Sequence, residues 1–259
     1  VTSLILPALL LAIALPASGE LDLTAPNPTH SPVNQLKVSG NACGPAALLN
    51  AFGFGSAKWL ELATAVPGKD DRSRLTYVIR GYGLRQSSHL DRLRWTKTTG
   101  VNLLDLTDMG NEMRGSRWMP KLRSEVLLKG ARESDLKLLR RIHDRLAQSM
   151  KKGLPPIVSL QRLAASASAA PGPLNWRLVH GHFIVITALP SRLDRNANSF
   201  PFRYVDPLGG KILEGRVCLD PASTYPAALV SVPQSEVGKR YLKSGERSII
   251  SLAAALGAF

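Results

Sequence analysis

The hydrophobic rhythm of this chain changes at Gly153. Before that point apolar residues recur at steps of three and four. After it they fall in short runs separated by glycine, proline and polar clusters. The clearest helix covers Ser134 to Lys152. Leu136, Leu139, Ile142, Leu146 and Met150 form its stripe, Lys151 and Lys152 suit its negative C-terminus, and Gly153 with Pro155-Pro156 ends it. Shorter helices are expected from Ala57 to Ala65 and from Asp71 to Arg80, the second stopping at Gly81-Tyr82-Gly83. Another opens at Cys43 and ends near Phe52-Gly53-Phe54-Gly55. Strands are expected over Ile157–Leu163, Arg177–Leu189, Phe202–Val205, Lys211–Leu213 and Ala228–Val232, with Ala164 to Pro173 as a hairpin loop. Leu103, Leu104 and Leu106 suggest a strand, as does Val126-Leu127-Leu128, within a stretch from 84 to 130 that carries few signals. The apolar end, Ile249 to Phe259, reads as a packed terminal helix, being too short for a membrane anchor. Helices first and strands later imply an α+β domain with an antiparallel sheet.

The 259 residues suffice for one large domain, and 44% hydrophobic content argues against disorder. Residues 1–19 read as a signal peptide: Leu4 to Leu15 is apolar, and Ala17-Ser18-Gly19 resembles a small-residue cleavage site. The expected product is secreted or periplasmic, with no stable membrane span. Residues 20–40, polar and rich in proline, asparagine and serine, form an extended lead-in to a domain over 41–259. The net charge is +14, and 20 of the 33 Lys and Arg lie between Lys69 and Lys152. That basic region suits an anionic envelope surface. Zinc-finger spacing and glycine-aromatic RNA-binding signatures are absent from the sequence, so nucleic acid is not an expected partner.

Cys43 stands at the start of the first helix, in Asn41-Ala-Cys-Gly-Pro-Ala-Ala-Leu-Leu-Asn-Ala-Phe52. Pro45 fits a first turn, where an N–H has no inward partner. A thiol there meets free N–H groups and the positive end of the helix dipole, both of which favour the nucleophilic thiolate. His182 precedes the apolar run Phe183-Ile184-Val185-Ile186, and Asp206 ends Tyr204-Val205-Asp206 before the turn residues Pro207, Gly209 and Gly210. On adjacent antiparallel strands these two come within hydrogen-bonding reach. Cys43 would be the nucleophile, His182 its base and Asp206 the group that orients the imidazole.

The three blocks Cys-Gly-Pro-Ala-Ala-Leu-Leu-Asn, Gly-His-Phe-Ile-Val-Ile and Val-Asp-Pro-Leu-Gly-Gly together resemble the peptidase C39-like family of papain-like cysteine peptidases. The resemblance implies a papain-like fold, with an N-terminal helical half packed on a C-terminal antiparallel sheet. It implies hydrolysis of a peptide or amide bond in a peptide or protein substrate, without a cofactor. It also implies an upstream glutamine that donates to the oxyanion. Gln35 takes that role, with Asn34 and Asn41 as alternatives and the Cys43 N–H as a second donor. Phytochelatin synthase resembles the first two blocks, and the same site would then be an acyl transferase. A non-catalytic binding module is a further alternative.

Several rival readings accompany this one. His180 shares a strand face with His182 and is a second candidate base, and Asp220-Pro221 is a second Asp-Pro turn. Cys218, in the strand-like Arg216-Val217-Cys218-Leu219, reads as a buried inert thiol, with a Cys43–Cys218 disulfide left open. His30, His89 and His143 lack metal-ligand spacing and read as surface residues. Trp59, Trp95, Trp118 and Trp176 read as core, Trp176 alternatively as part of a substrate groove.

Overall fold

The computed structural model describes residues 19–166, 174–220 and 225–259. The signal-like segment up to Ser18, and 167–173 of the expected hairpin loop, lie outside them. Five α-helices are described, all before Gly153: α1 Cys43–Gly53, α2 Ala57–Thr64, α3 Asp71–Val78, α4 Leu103–Arg114 and α5 Asp135–Lys151. The strands are β1 Leu23–Thr24, β2 Trp95–Thr96, β3 Gly100–Val101, β4 Arg123–Val126, β5 Ile157–Ser166, β6 Arg177–Leu189, β7 Ser199–Asp206, β8 Lys211–Cys218, β9 Leu229–Ser231 and β10 Glu246–Gly257. The fold is mixed α/β, with one eight-stranded antiparallel sheet and the small β2–β3 pair.

The large sheet runs β1-β6-β5-β10-β9-β8-β7, with β4 added on β10, and it closes on itself because β7 also pairs with β6. β6 is thus flanked on both sides over its central residues: Ile184 and Val185 face Val158 and Ile157 of β5, while Val185 and Ile186 face Val205 and Tyr204 of β7. A strand covered on both faces needs no polar alternation, which explains the continuous run Phe183–Leu189.

α1 is the central helix. Every residue from Gly44 to Gly53 is buried, and the helix packs against β5 and β6. Burial of Leu48, Leu49 and Phe52, all wholly enclosed, supplies roughly 1.5–3 kcal/mol each. Gly44 permits the close packing, since a Cβ there would meet Val101 Cγ1 at 2.2 Å. α5 is amphipathic and lays Leu139, Ile142, Leu146 and Met150 on the core as its period requires. Leu138 joins them, whereas Leu136 is exposed. Ser134 caps the helix by accepting from the Lys137 N–H.

Several expectations are corrected. The apolar end is no helix: it is β10, paired with β5, β4 and β9 near the middle of the sheet. Alanine favours helices intrinsically, but burial on both faces decides here, with Leu252, Ala255 and Leu256 fully enclosed. Leu103, Leu104 and Leu106 lie in α4 rather than a strand. Asn102 accepts from the Asp105 N–H at 2.8 Å and starts that helix. Ala164–Ser166 belong to β5 rather than to a loop. His143 is buried and bonds the Pro190 carbonyl at 2.8 Å. His30 is packed edge-on against Phe54, over Gly53. Neither is a surface residue, unlike His89. Trp59 is core, stacked on Phe52, but Trp118 is 95% exposed, and Trp95 and Trp176 are half-buried. Both cysteines are free, so the disulfide does not form. Burial raises the pKa of the Cys218 thiol, in keeping with an inert group.

Candidate active site

The site is assembled by α1, β6 and β7. Cys43 is the first residue of α1, where Phe183 and Gly44 offer backbone hydrogen bonds to its sulfur. His182 and Asp206 face each other across the β6–β7 pair, with His182 Nε2 2.7 Å from Asp206 Oδ1. Both side chains are almost completely buried. The same imidazole lies beside Cys43, and each of the two groups shifts the pKa of the other. Since Nε2 is engaged by Asp206, Nδ1 is the ring nitrogen left for the thiol. The three residues singled out in the sequence therefore form one continuous relay, Cys43–His182–Asp206.

The electrostatics favour separated charge. Burial opposes ionisation of Cys43, but the hydrogen bond and charge of His182, together with the Phe183 and Gly44 backbone, outweigh it and lower the thiol pKa. Burial likewise opposes protonation of His182, yet its bonds to Asp206 and Cys43 and their charges push it up to about 10. These shifts favour the thiolate–imidazolium form of the pair over the neutral one. Asp206 Oδ1 also accepts from the Leu208 N–H at 2.8 Å, so the carboxylate is held by its own turn.

Gln35 lies in a short 3-10 turn, Gln35–Lys37, which Asn34 caps by accepting from the Leu36 N–H. The Gln35 N–H donates to the Pro207 carbonyl at 2.9 Å, in the turn that follows Asp206. Gln35 is only 8% exposed, and its Oε1 is buried with no partner among the described residues. It lines a cleft of about 870 Å³ that also includes Asn41, His180 and His182. Of the two alternatives, Asn34 does not line the cleft and Asn41 Nδ2 is committed to the Thr98 carbonyl. His180 faces the same cleft without touching the relay. It packs against the Tyr241 ring, and burial with the charges of His182 and Arg240 lowers its pKa. Trp176 does not line the cleft.

Two supporting devices escape a reading of the sequence. Asn50, seven residues after Cys43, is fully buried and clamps the lead-in: its Oδ1 accepts from Val33 N–H at 2.7 Å and its Nδ2 donates to Val33 O at 3.2 Å. The lead-in is thereby fixed two residues before Gln35, and β1 fastens its other end to Ala188 and Leu189. The second device is the β2–β3 hairpin, from the stretch that carried few signals. Lys97 O accepts from the Asn41 N–H at 3.1 Å, and Trp95 Nε1 donates to Asn41 O at 2.8 Å. Gly40 (φ 96°) and Gly100 (φ 68°) supply left-handed conformations that this contact requires. Asn50 was visible as the last residue of the Cys43 block, but nothing in the sequence pairs it with Val33.

The chain matches no family model, no curated protein and no solved structure. The chemistry is therefore read from the geometry alone. A thiol–imidazole pair at a helix start and an orienting carboxylate, beside a cleft that Gln35 also lines, suit attack on an acyl carbon.

Proposed function

We propose that this protein is a cysteine hydrolase of peptide or amide bonds, with a papain-like arrangement of the C39-like kind, acting through Cys43, His182 and Asp206. The observation that carries the reading is the position of His182, bonded to Asp206 and set beside Cys43.

The Cys43 thiolate attacks the carbonyl carbon, and the carbonyl π electrons pass to oxygen. The Gln35 amide and the N–H of Cys43 stabilise that oxyanion. The tetrahedral centre collapses, the C–N bond breaks, and His182 gives its proton to the departing amine, leaving a thioester and a neutral imidazole. Water then attacks the thioester while His182 takes its proton. The carboxylic acid departs and the thiolate–imidazolium pair is restored. Asp206 keeps Nε2 protonated and the ring in place throughout. An acceptor other than water would make the same site an acyl transferase.

Export and contact with an anionic envelope surface belong to the same reading. The exposed Trp118 supports that contact, sharing a surface hollow with Arg117 and Lys121, neither of them ion-paired among the described residues. The experiment that tests the function is incubation of a diverse peptide pool with the protein, read by mass spectrometry, beside Cys43→Ala. New termini that need Cys43 support the hydrolase. A pool left intact, with Cys43 no more reactive than a free thiol, overturns it and favours the binding module.

A further inference from the structure

The cleft beside His182 is unevenly charged. Besides His182 and the Tyr241 phenol, four charged or ionisable side chains line it: Lys97, His180, Glu236 and Arg240. His180 is held toward its neutral form by burial and by the neighbouring positive charges. Glu236 is engaged at 2.8 Å by Lys239. Lys97 and Arg240 have no carboxylate partner among the described residues. Lys97 is exposed, and Arg240 is held over the Tyr241 ring at 4.7 Å with a hydrogen bond to the Tyr241 hydroxyl at 2.6 Å. The excess charge in the cleft is therefore positive and comes from two places.

Those places flank the relay. The Lys97 carbonyl binds the N–H of Asn41, two residues before the nucleophile. Tyr241, which carries the Arg240 guanidinium, packs on His180, two residues before the base. Leu36, Val38 and Leu208 supply apolar wall between them. A cleft with apolar walls and two unpaired cations concentrates anionic ligands and orients them by their charge.

We propose that Lys97 and Arg240 select substrates carrying carboxylates, so that the acyl donor is an acidic peptide. This inference rests on the hydrolase reading of Cys43. An arginine on an aromatic face suits a planar carboxylate, which it takes through paired N–H groups. Lys97, more mobile, acts as a point charge at the nucleophile's side.

The test uses two alkylating reagents that differ in charge. Iodoacetate and iodoacetamide both form an Sγ–C bond with Cys43 and release iodide, but only the first is anionic. The ratio of their rates at low ionic strength should fall about threefold in Lys97→Ala, about threefold in Arg240→Ala and about tenfold in the double variant. Lys151→Ala with Lys152→Ala, at the far end of α5, controls for net charge and should leave the ratio unchanged. A pool of glutamate-containing hexapeptides should then protect Cys43 from iodoacetamide at lower concentration than the same pool with glutamine, and the double variant should lose that advantage. An unchanged ratio, equal protection by the two pools, or no protection from either overturns the selection of acidic peptides while the reactive thiol stands. Slow reaction with both reagents, at the rate of a free thiol, overturns the hydrolase reading and this inference with it.

Discussion

Cys43 and His182 titrate as one unit, and the pH dependence of the thiol follows. The thiolate forms as pH rises through the depressed Cys43 value, and the imidazolium beside it persists to about 10. The alkylation profile of Cys43 should therefore lie at lower pH than that of a free thiol, whose midpoint is about 8.5. His182→Ala should move the profile up to that ordinary range. Asp206→Asn, which keeps the size but not the charge, should lower turnover about 10³- to 10⁴-fold and leave the fold intact. Gln35→Ala should cost about 10²- to 10³-fold in kcat with little change in KM, because an oxyanion exists only along the reaction path. Peptide cleavage rates of the variants measure both. The three relay residues were legible in the sequence because each has a chemical type and a local setting that match. Gln35 was named through the resemblance, and the structure adds its place in the wall of the cleft that His182 lines. Asn50 and Trp95 were not legible as supports, since their partners, Val33 and Asn41, lie far off in the chain or are backbone atoms that any residue presents.

Elements hold these residues in place through a few concentrated contacts. Asn50→Ala leaves the Val33 N–H and C=O unpaired in the interior, and should cost about 2–3 kcal/mol in denaturant unfolding. The same variant should lower kcat, because Gln35 loses its tether. Arg141 of α5 has a parallel role on the opposite side. It bonds Glu133 at both carboxylate oxygens, Glu125 of β4 and the Leu128 carbonyl. That pairing holds the Glu133 carboxyl down to about 2. A depressed carboxylate stabilises the fold above its unfolded value near 4.5, and the contribution is lost as pH falls toward 2. Glu133→Gln should remove about 2 kcal/mol at pH 7 and flatten stability between those limits, as acid unfolding curves would read. Helices α2, α3 and α5 and most strands could be read from period and caps. α4 was missed because its cap, Asn102, precedes two leucines that read equally well as strand. β10 was missed because small apolar residues enclosed on both faces carry no period at all.

Across the whole molecule the last strand is the one the sheet can least spare. β10 pairs with β5 along most of its length and carries β4 and β9 as well. A chain ending before Glu246 should therefore fail to fold rather than lose a tail, and circular dichroism and proteolysis would report this directly. Leu252→Ala, at a fully enclosed position, should cost about 2–5 kcal/mol. The sequence conveyed the order of helices and strands but not this placement, because pairing between residues 157–166 and 246–257 is a property of the closed sheet. That closure bears on recognition. Each of β5 to β10 has a strand on either side over part of its length, and among the described residues only β1 and β4 of the large sheet have a neighbour on one side alone. That leaves short stretches rather than whole strands for an extended peptide to pair with, such as Arg177 to Ile184 of β6, which β7 does not reach. Main-chain pairing tolerates nearly any sequence, so discrimination between one peptide and another falls to the side chains around those stretches.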